Sequence, residues 1–157
     1  MRNILINKWW KVTIGSGTKV IGEYAFYNYN SLNTVIIGEN VTEIKNRVFS
    51  TSSQVAVVCN LSKLNIVKGS IENGFAGYYA MVLCNSVDEI PVLIRNVNGM
   101  FNFILLDGEY YLIGGYGVEG TITLPDSING NPYHIKESAF VWMMIYIKLF
   151  LEKMFCL

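Results

Sequence analysis

The sequence predicts a mainly β fold: a short solenoid of stacked coils, interrupted by an insert rich in β-hairpins. Three observations carry this. Residues 12–26 and 35–49 repeat one pattern, with Val12 matched to Val35, Ile14 to Ile37, Gly15 to Gly38, Ile21 to Ile44 and Phe26 to Phe49, every pair 23 residues apart. A further copy near the C-terminus places Ile122, Leu124, Ile135 and Phe140 in the same roles, with a turn lengthened by four residues. Between the copies, short apolar runs alternate with glycine turns, and Asp107-Gly108 between two such runs is a strong hairpin signal. A fixed period of roughly 20 to 50 residues marks units that cannot bury an apolar face alone and do so by stacking.

Alternation within each strand assigns its faces. Trp9, Val12 and Ile14 should point into the solenoid, as should Leu32, Val35 and Ile37, leaving Lys11, Thr13, Thr34 and Ile36 facing out. Ile21 and Phe26 recur because stacked coils need an apolar residue at the same depth in each turn. A third strand is expected at residues 55–58, because Val55 follows Phe49 by the same six residues that separate Leu32 from Phe26. After it the period is lost until residue 121. The expected organisation is therefore repeats over 9–66, a β-rich insert over 67–120 with one short helix near residues 74–80, and a further repeat with an apolar tail over 121–157. That tail carries Lys148, Glu152 and Lys153 and falls short of the about 20 apolar residues that a membrane span needs. Its register suits one more solenoid strand, and its composition leaves a helix as the alternative.

The order of these positions is an apolar lead, a V-x-I strand, a turn, an I-G or I-K pair and an Ala-Phe type of ending. It resembles the BspA-like leucine-rich repeat of bacterial cell-surface proteins and some protozoan surface antigens. The matching stretches are residues 12–26, 31–49 and 121–140, and residues 60–80 resemble the insert often set between repeat blocks in that family. Val48 departs from the usual small residue before the phenylalanine. The resemblance implies a leucine-rich-repeat solenoid, a surface or secreted location and an adhesive or host-interaction role.

Bulk properties narrow the field. Net charge is zero and the basic residues are scattered, so no nucleic-acid footprint is present. Charged residues make up only 15% of the chain, which is apolar for a soluble monomer and suits surfaces that meet neighbouring repeats or self-associate. Neither terminus reads as a polar cap, so the expectation is a piece of a longer array. The first ten residues are too short in apolar content for a signal peptide. Cys59, Cys84 and Cys156 are odd in number and widely spaced, supporting neither a zinc site nor a disulfide framework, and read as small buried hydrophobes.

Several motifs imitate chemistry. Gly115, Gly117 and Gly120 match G-x-G-x-x-G, but the dinucleotide fingerprint needs a helix next, and Thr121, Ile122 and Thr123 are β-formers ended by Pro125. Residues 15–19 only superficially suggest a phosphate loop. His134 is the only histidine, sits in the lengthened turn and has no nucleophile elbow to serve. Asp88 with Glu89, and Asp107 with Glu109, fall at turns rather than converging in a cleft. Asn40 and Asn60 fit the glycosylation pattern without an export signal to give it meaning. No cofactor or metal is expected.

These readings favour a non-catalytic recognition module working by repeated contacts along a regular sheet. The expected contacts are the outward set Lys11, Thr13, Thr34, Ile36, Thr121 and Thr123, meeting a protein or glycan on another cell or matrix. A carbohydrate-binding or carbohydrate-degrading domain is the rival, with Tyr78, Tyr79, Tyr110 and Tyr111 as stacking platforms. Two or more exposed coplanar rings in a cleft beside carboxylates would favour it. An inert structural spacer is the third reading.

Overall fold

The computed structural model describes residues 11–95, 100–115 and 122–140. It is a β-solenoid with an antiparallel unit laid against its side. Four strands form the solenoid's main parallel sheet in chain order: β1 (Lys11–Ile14), β3 (Thr34–Ile37), β5 (Val57–Asn60) and β6 (Val82–Cys84). Short strands β2 (Val20–Ile21) and β4 (Glu43–Ile44) pair on a second side of the coil. The register is that of the sequence period: Lys11 pairs with Thr34 and Thr34 with Val57, each 23 residues on.

The interior is what alternation requires. Ile14, Leu32, Val35, Ile37, Val55 and Val58 fill it from the main sheet, and Ile21, Ile44, Val48 and Phe49 close it from the other sides. The Phe26 and Phe49 rings lie parallel, 5.4 Å apart at 5°, one coil above the other. At Gly38 the backbones of successive coils approach closely, since a Cβ there would lie 2.3 Å from the Ile14 carbonyl oxygen. A second regularity was not legible as a motif. Tyr24 and Arg47, and likewise Asn28 and Thr51, adopt positive φ between 55° and 62° at matching coil positions. Ser138, three residues after Ile135 as Tyr24 is after Ile21, does the same at 63°.

The stacked block runs further than its strict period. β6 pairs with β5 at an offset of 25, with Val57 opposite Val82 and Cys59 opposite Cys84, so the ladder continues past residue 66. The coil leading to it is longer. It contains a single kinked turn, α1 (Glu72–Phe75), in which Asn73 and Gly74 take left-handed φ. Two extra residues moved the apolar pattern out of register, and the period vanished from the sequence although the coil did not. The third strand likewise lies at Val57–Asn60, slightly later than residues 55–58.

Beyond a 3-10 turn at Val87–Glu89 comes the antiparallel unit: β7 (Leu93–Arg95), β8 (Phe101–Leu106) and β9 (Glu109–Gly115). Asp107 and Gly108 both have positive φ, 51° and 83°, as the two-residue hairpin turn that matches strand twist requires. The C-terminal repeat copy joins this unit instead of the main sheet. Its strand β10 (Tyr133–Ile135) pairs parallel with β9, while Ile122 and Leu124, expected as a strand, pack as irregular chain. Ile135 does not repeat the buried role of Ile21 and Ile44: it is 53% exposed, because the copy docks through Ile128, Tyr133 and Phe140 on the hairpin. The expected role of residues 141–157, and of Trp9, lies outside the described residues.

Candidate functional site

The position of the hairpin decides which surface is open. β8 and β9 alternate, sending Phe101, Phe103 and Leu112 to the C-terminal copy, and Ile104 and Ile113 to the main sheet. There they cover Ile36, Val57, Cys59 and Cys84, the outward side chains of the solenoid strands. Thr34 and Ile36, expected as exposed contacts, are each only 4% exposed. They do face away from the solenoid interior, but a second apolar layer lies on them. A signal for this was present: Thr34–Ile37 and residues 55–59 are near-continuous apolar runs, the mark of parallel strands buried on both faces.

Of the remaining expected contacts, Lys11, Thr13 and Thr123 are exposed, and Thr121 lies outside the described residues. Lys11 and Thr13 sit on β1, in the same ladder columns as Thr34 and Ile36.

Another exposed set was not anticipated. Val20, Tyr24 and Tyr27 are about half exposed on the short-strand side of the coil. The two tyrosine rings meet edge to face at 5.4 Å, and Arg47, one coil on, donates from Nη1 to the Tyr24 hydroxyl at 3.4 Å. The left-handed φ at Tyr24 and Arg47 puts both side chains at the same outward point of successive coils. Tyrosine and arginine presented together on a rigid frame are the residue types that dominate binding hot spots.

A groove of about 540 Å³ opens where the solenoid meets the C-terminal copy, lined by Tyr78, Tyr79, Met81, Tyr111, Ile135 and Lys136, among others. Lys136 is buried, donating from Nζ to the carbonyl oxygens of Ser53 (3.1 Å) and Glu137 (3.0 Å), and burial lowers its pKa to about 8. The groove brings Tyr78, Tyr79 and Tyr111 together but not Tyr110, which packs on the opposite face of the hairpin. Tyr78 and Tyr79 stand at 89° to one another, so these two rings do not form the coplanar pair that the carbohydrate reading calls for.

His134, Asp107 and Glu109 lie at the surface. His134 stacks on Tyr111 and its Nε2 lies 3.2 Å from Glu109, with both partners largely exposed. Tyr111 donates to Glu109 at 3.1 Å, a bond that raises its pKa. Asp107 lies in the hairpin turn and Glu109 follows it at the start of β9. Gly115 belongs to β9, the chain from Ile122 is not helical, and residues 116–120 lie outside the described residues. Among the described residues no group of three or more His, Cys, Asp or Glu could hold a metal, and no helix is long and apolar enough to cross a membrane.

Comparison with known proteins agrees with this architecture. The model for the BspA type leucine rich repeat region matches residues 6–92 in 6 copies, reaching past β6. None of the curated proteins and no solved structure matches the chain. Coil period, parallel ladders, stacked phenylalanines and the family match, which spans more than half of the sequence, converge on one assignment: the chain belongs to the BspA-type leucine-rich-repeat family, a family of repeat modules for protein interaction.

Proposed function

We propose that this chain is a non-catalytic adhesion module of a cell-surface leucine-rich-repeat protein, engaging a protein on another cell or in the surrounding matrix. The observation that carries the reading is the exposed Tyr24, Tyr27 and Arg47 set, held at matching points of rigid coils. Lys11, Thr13 and Thr123 are the supplementary contacts, since they too are exposed. Rigid aromatic anchors lose little conformational entropy on binding, so a small number of coils suffices for a useful contact.

The test uses the purified full chain against a panel of immobilised extracellular-matrix proteins and mucin-type glycoproteins. Micromolar or tighter binding to a protein partner is expected, weakened at least about tenfold by Tyr24→Ala with Tyr27→Ala, in the manner of hot-spot truncation. Thr42→Ala, an exposed position on the same side of the coil, should leave it unchanged. Equal binding by the double variant, or no binding to any protein on the panel, refutes this surface.

A further inference from the structure

Cys59 and Cys84 are 25 residues apart in sequence and directly opposite one another in the neighbouring parallel strands β5 and β6. Adjacent strands lie about 4.7–4.9 Å apart. That is inside the Cα separation of about 4.4–6.8 Å that a disulfide spans. Both side chains leave the same face of the sheet and pack in one buried cluster, where the Cys84 thiol donates to the Val58 carbonyl oxygen at 3.9 Å. Both residues are buried beneath Ile104 and Ile113, at 0% and 3% exposed. The same ladder column holds Thr13 and Ile36 in the preceding coils, so two adjacent cysteines replace the threonine and isoleucine found there.

We propose that Cys59 and Cys84 are a cross-linking pair that closes to a disulfide between the last two strands of the solenoid sheet. The oxidant is a small-molecule disulfide of the glutathione class. One cysteine thiolate attacks it, breaking its S–S bond and releasing one reduced thiol. The second thiolate then attacks the protein sulfur of the mixed disulfide and releases the other. Two protons are lost from the protein, two electrons pass to the oxidant, and one intramolecular S–S bond forms. The hairpin shields both sulfurs, so closure precedes the docking of β8 and β9. Its effect is to tie β6, the edge strand held by three register pairs, to the body of the coil.

The experiment uses the full chain carrying Cys156→Ser, so that only this pair can react. Refolding in a mixture of oxidised and reduced glutathione should give a monomer lighter by about 2 Da with no titratable thiol under denaturing conditions, and one disulfide-linked peptide pair containing Cys59 and Cys84. Its Tm should exceed that of the reduced form by about 5–10 °C, as expected for closing a loop of this length in a chain of this size. The same oxidant added to the folded, reduced protein should react far more slowly. A Cys59→Ser variant should fold and show no redox-dependent Tm. Two free thiols or mixed glutathione adducts after refolding overturn the proposal, as does an oxidised form that has lost the native β-sheet spectrum.

Discussion

Replacing Gly114 by alanine separates the hairpin from the solenoid more selectively than any change in either core. Gly114 has φ 155°, and a Cβ on it would lie 2.3 Å from Cδ of Gln54 and 2.6 Å from its Cγ and Oε1. Gln54 has nowhere to retreat: it is 0% exposed, donates from Nε2 to the Gly115 carbonyl oxygen at 2.9 Å and accepts from Asn33 Nδ2 at 3.5 Å. If Gln54 turns aside, buried polar groups lose their partners, at about 1–3 kcal/mol. If the backbone holds, alanine adopts a conformation costing roughly a further 1–2 kcal/mol. The expected loss is thus about 2–5 kcal/mol, measured as a lower urea midpoint. Hydrogen exchange should quicken across β8, β9 and the covered strands β3 and β5, while β2 and β4 keep their protection. Gly15→Ala, with nothing within 4 Å of its Cβ, is the control and should stay within about 0.5 kcal/mol. A loss below about 1 kcal/mol with unchanged exchange would refute the latch.

Other substitutions probe the remaining joints. Phe49→Ala removes a fully buried ring stacked on Phe26 and should cost about 3–5 kcal/mol by chemical denaturation; below about 1 kcal/mol the stacking account fails. Ile36→Ser should destabilise by at least about 2 kcal/mol, because the hairpin buries this position, whereas Thr13→Ser on exposed β1 should be near neutral. Lys136 supplies a pH test. Burial lowers its folded pKa from 10.5 to about 8, so the unfolded chain binds more protons between those values and stability rises with pH across that window, by about 3 kcal/mol at most. Cys84, pushed up to about 12 by burial, opposes this above pH 9, so the measurement is the difference between the wild type and Lys136→Met at each pH. That difference should move in favour of the wild type from pH 8 to 10.5, and a flat difference contradicts the burial of a charged ammonium.

Sequence and structure agree where the cause is local. The coil period, the inward columns and the Asp107-Gly108 hairpin are all set by residues within one coil or one turn. The contact face needed information from elsewhere in the chain. Nothing in β3 alone says that Ile104 and Ile113, some seventy residues later, will lie on Ile36. The clue was the absence of alternation in Thr34–Ile37, which reads as a strand covered on both sides once the covering element is known. The Tyr24 and Arg47 positions were hidden for a different reason. Their outward direction comes from a left-handed backbone that neither side chain advertises, since glycine or asparagine usually marks that conformation. Cys59 and Cys84 became neighbours only when the lengthened coil was counted in structure rather than in sequence.

The uniform offset between β1, β3 and β5 also bears on how such a chain can grow. The upper edge of one coil meets the next through the same register every time, Lys11 with Thr34 and Thr34 with Val57. A tandem duplication of residues 11–33 would therefore insert a whole coil whose two edges already fit their neighbours, with Gly15, the counterpart of Gly38, and the phenylalanine Phe26 reproduced in phase. The segment from β5 to β6 has no such freedom, because its offset is 25 and because Ser53 and Gln54 just before it hold Lys136 and Gly115. Recombination can change copy number on one side of β5 and meets a fixed junction on the other. Lineages carrying this unit should differ in how many coils precede β5 and keep the assembly that follows it intact.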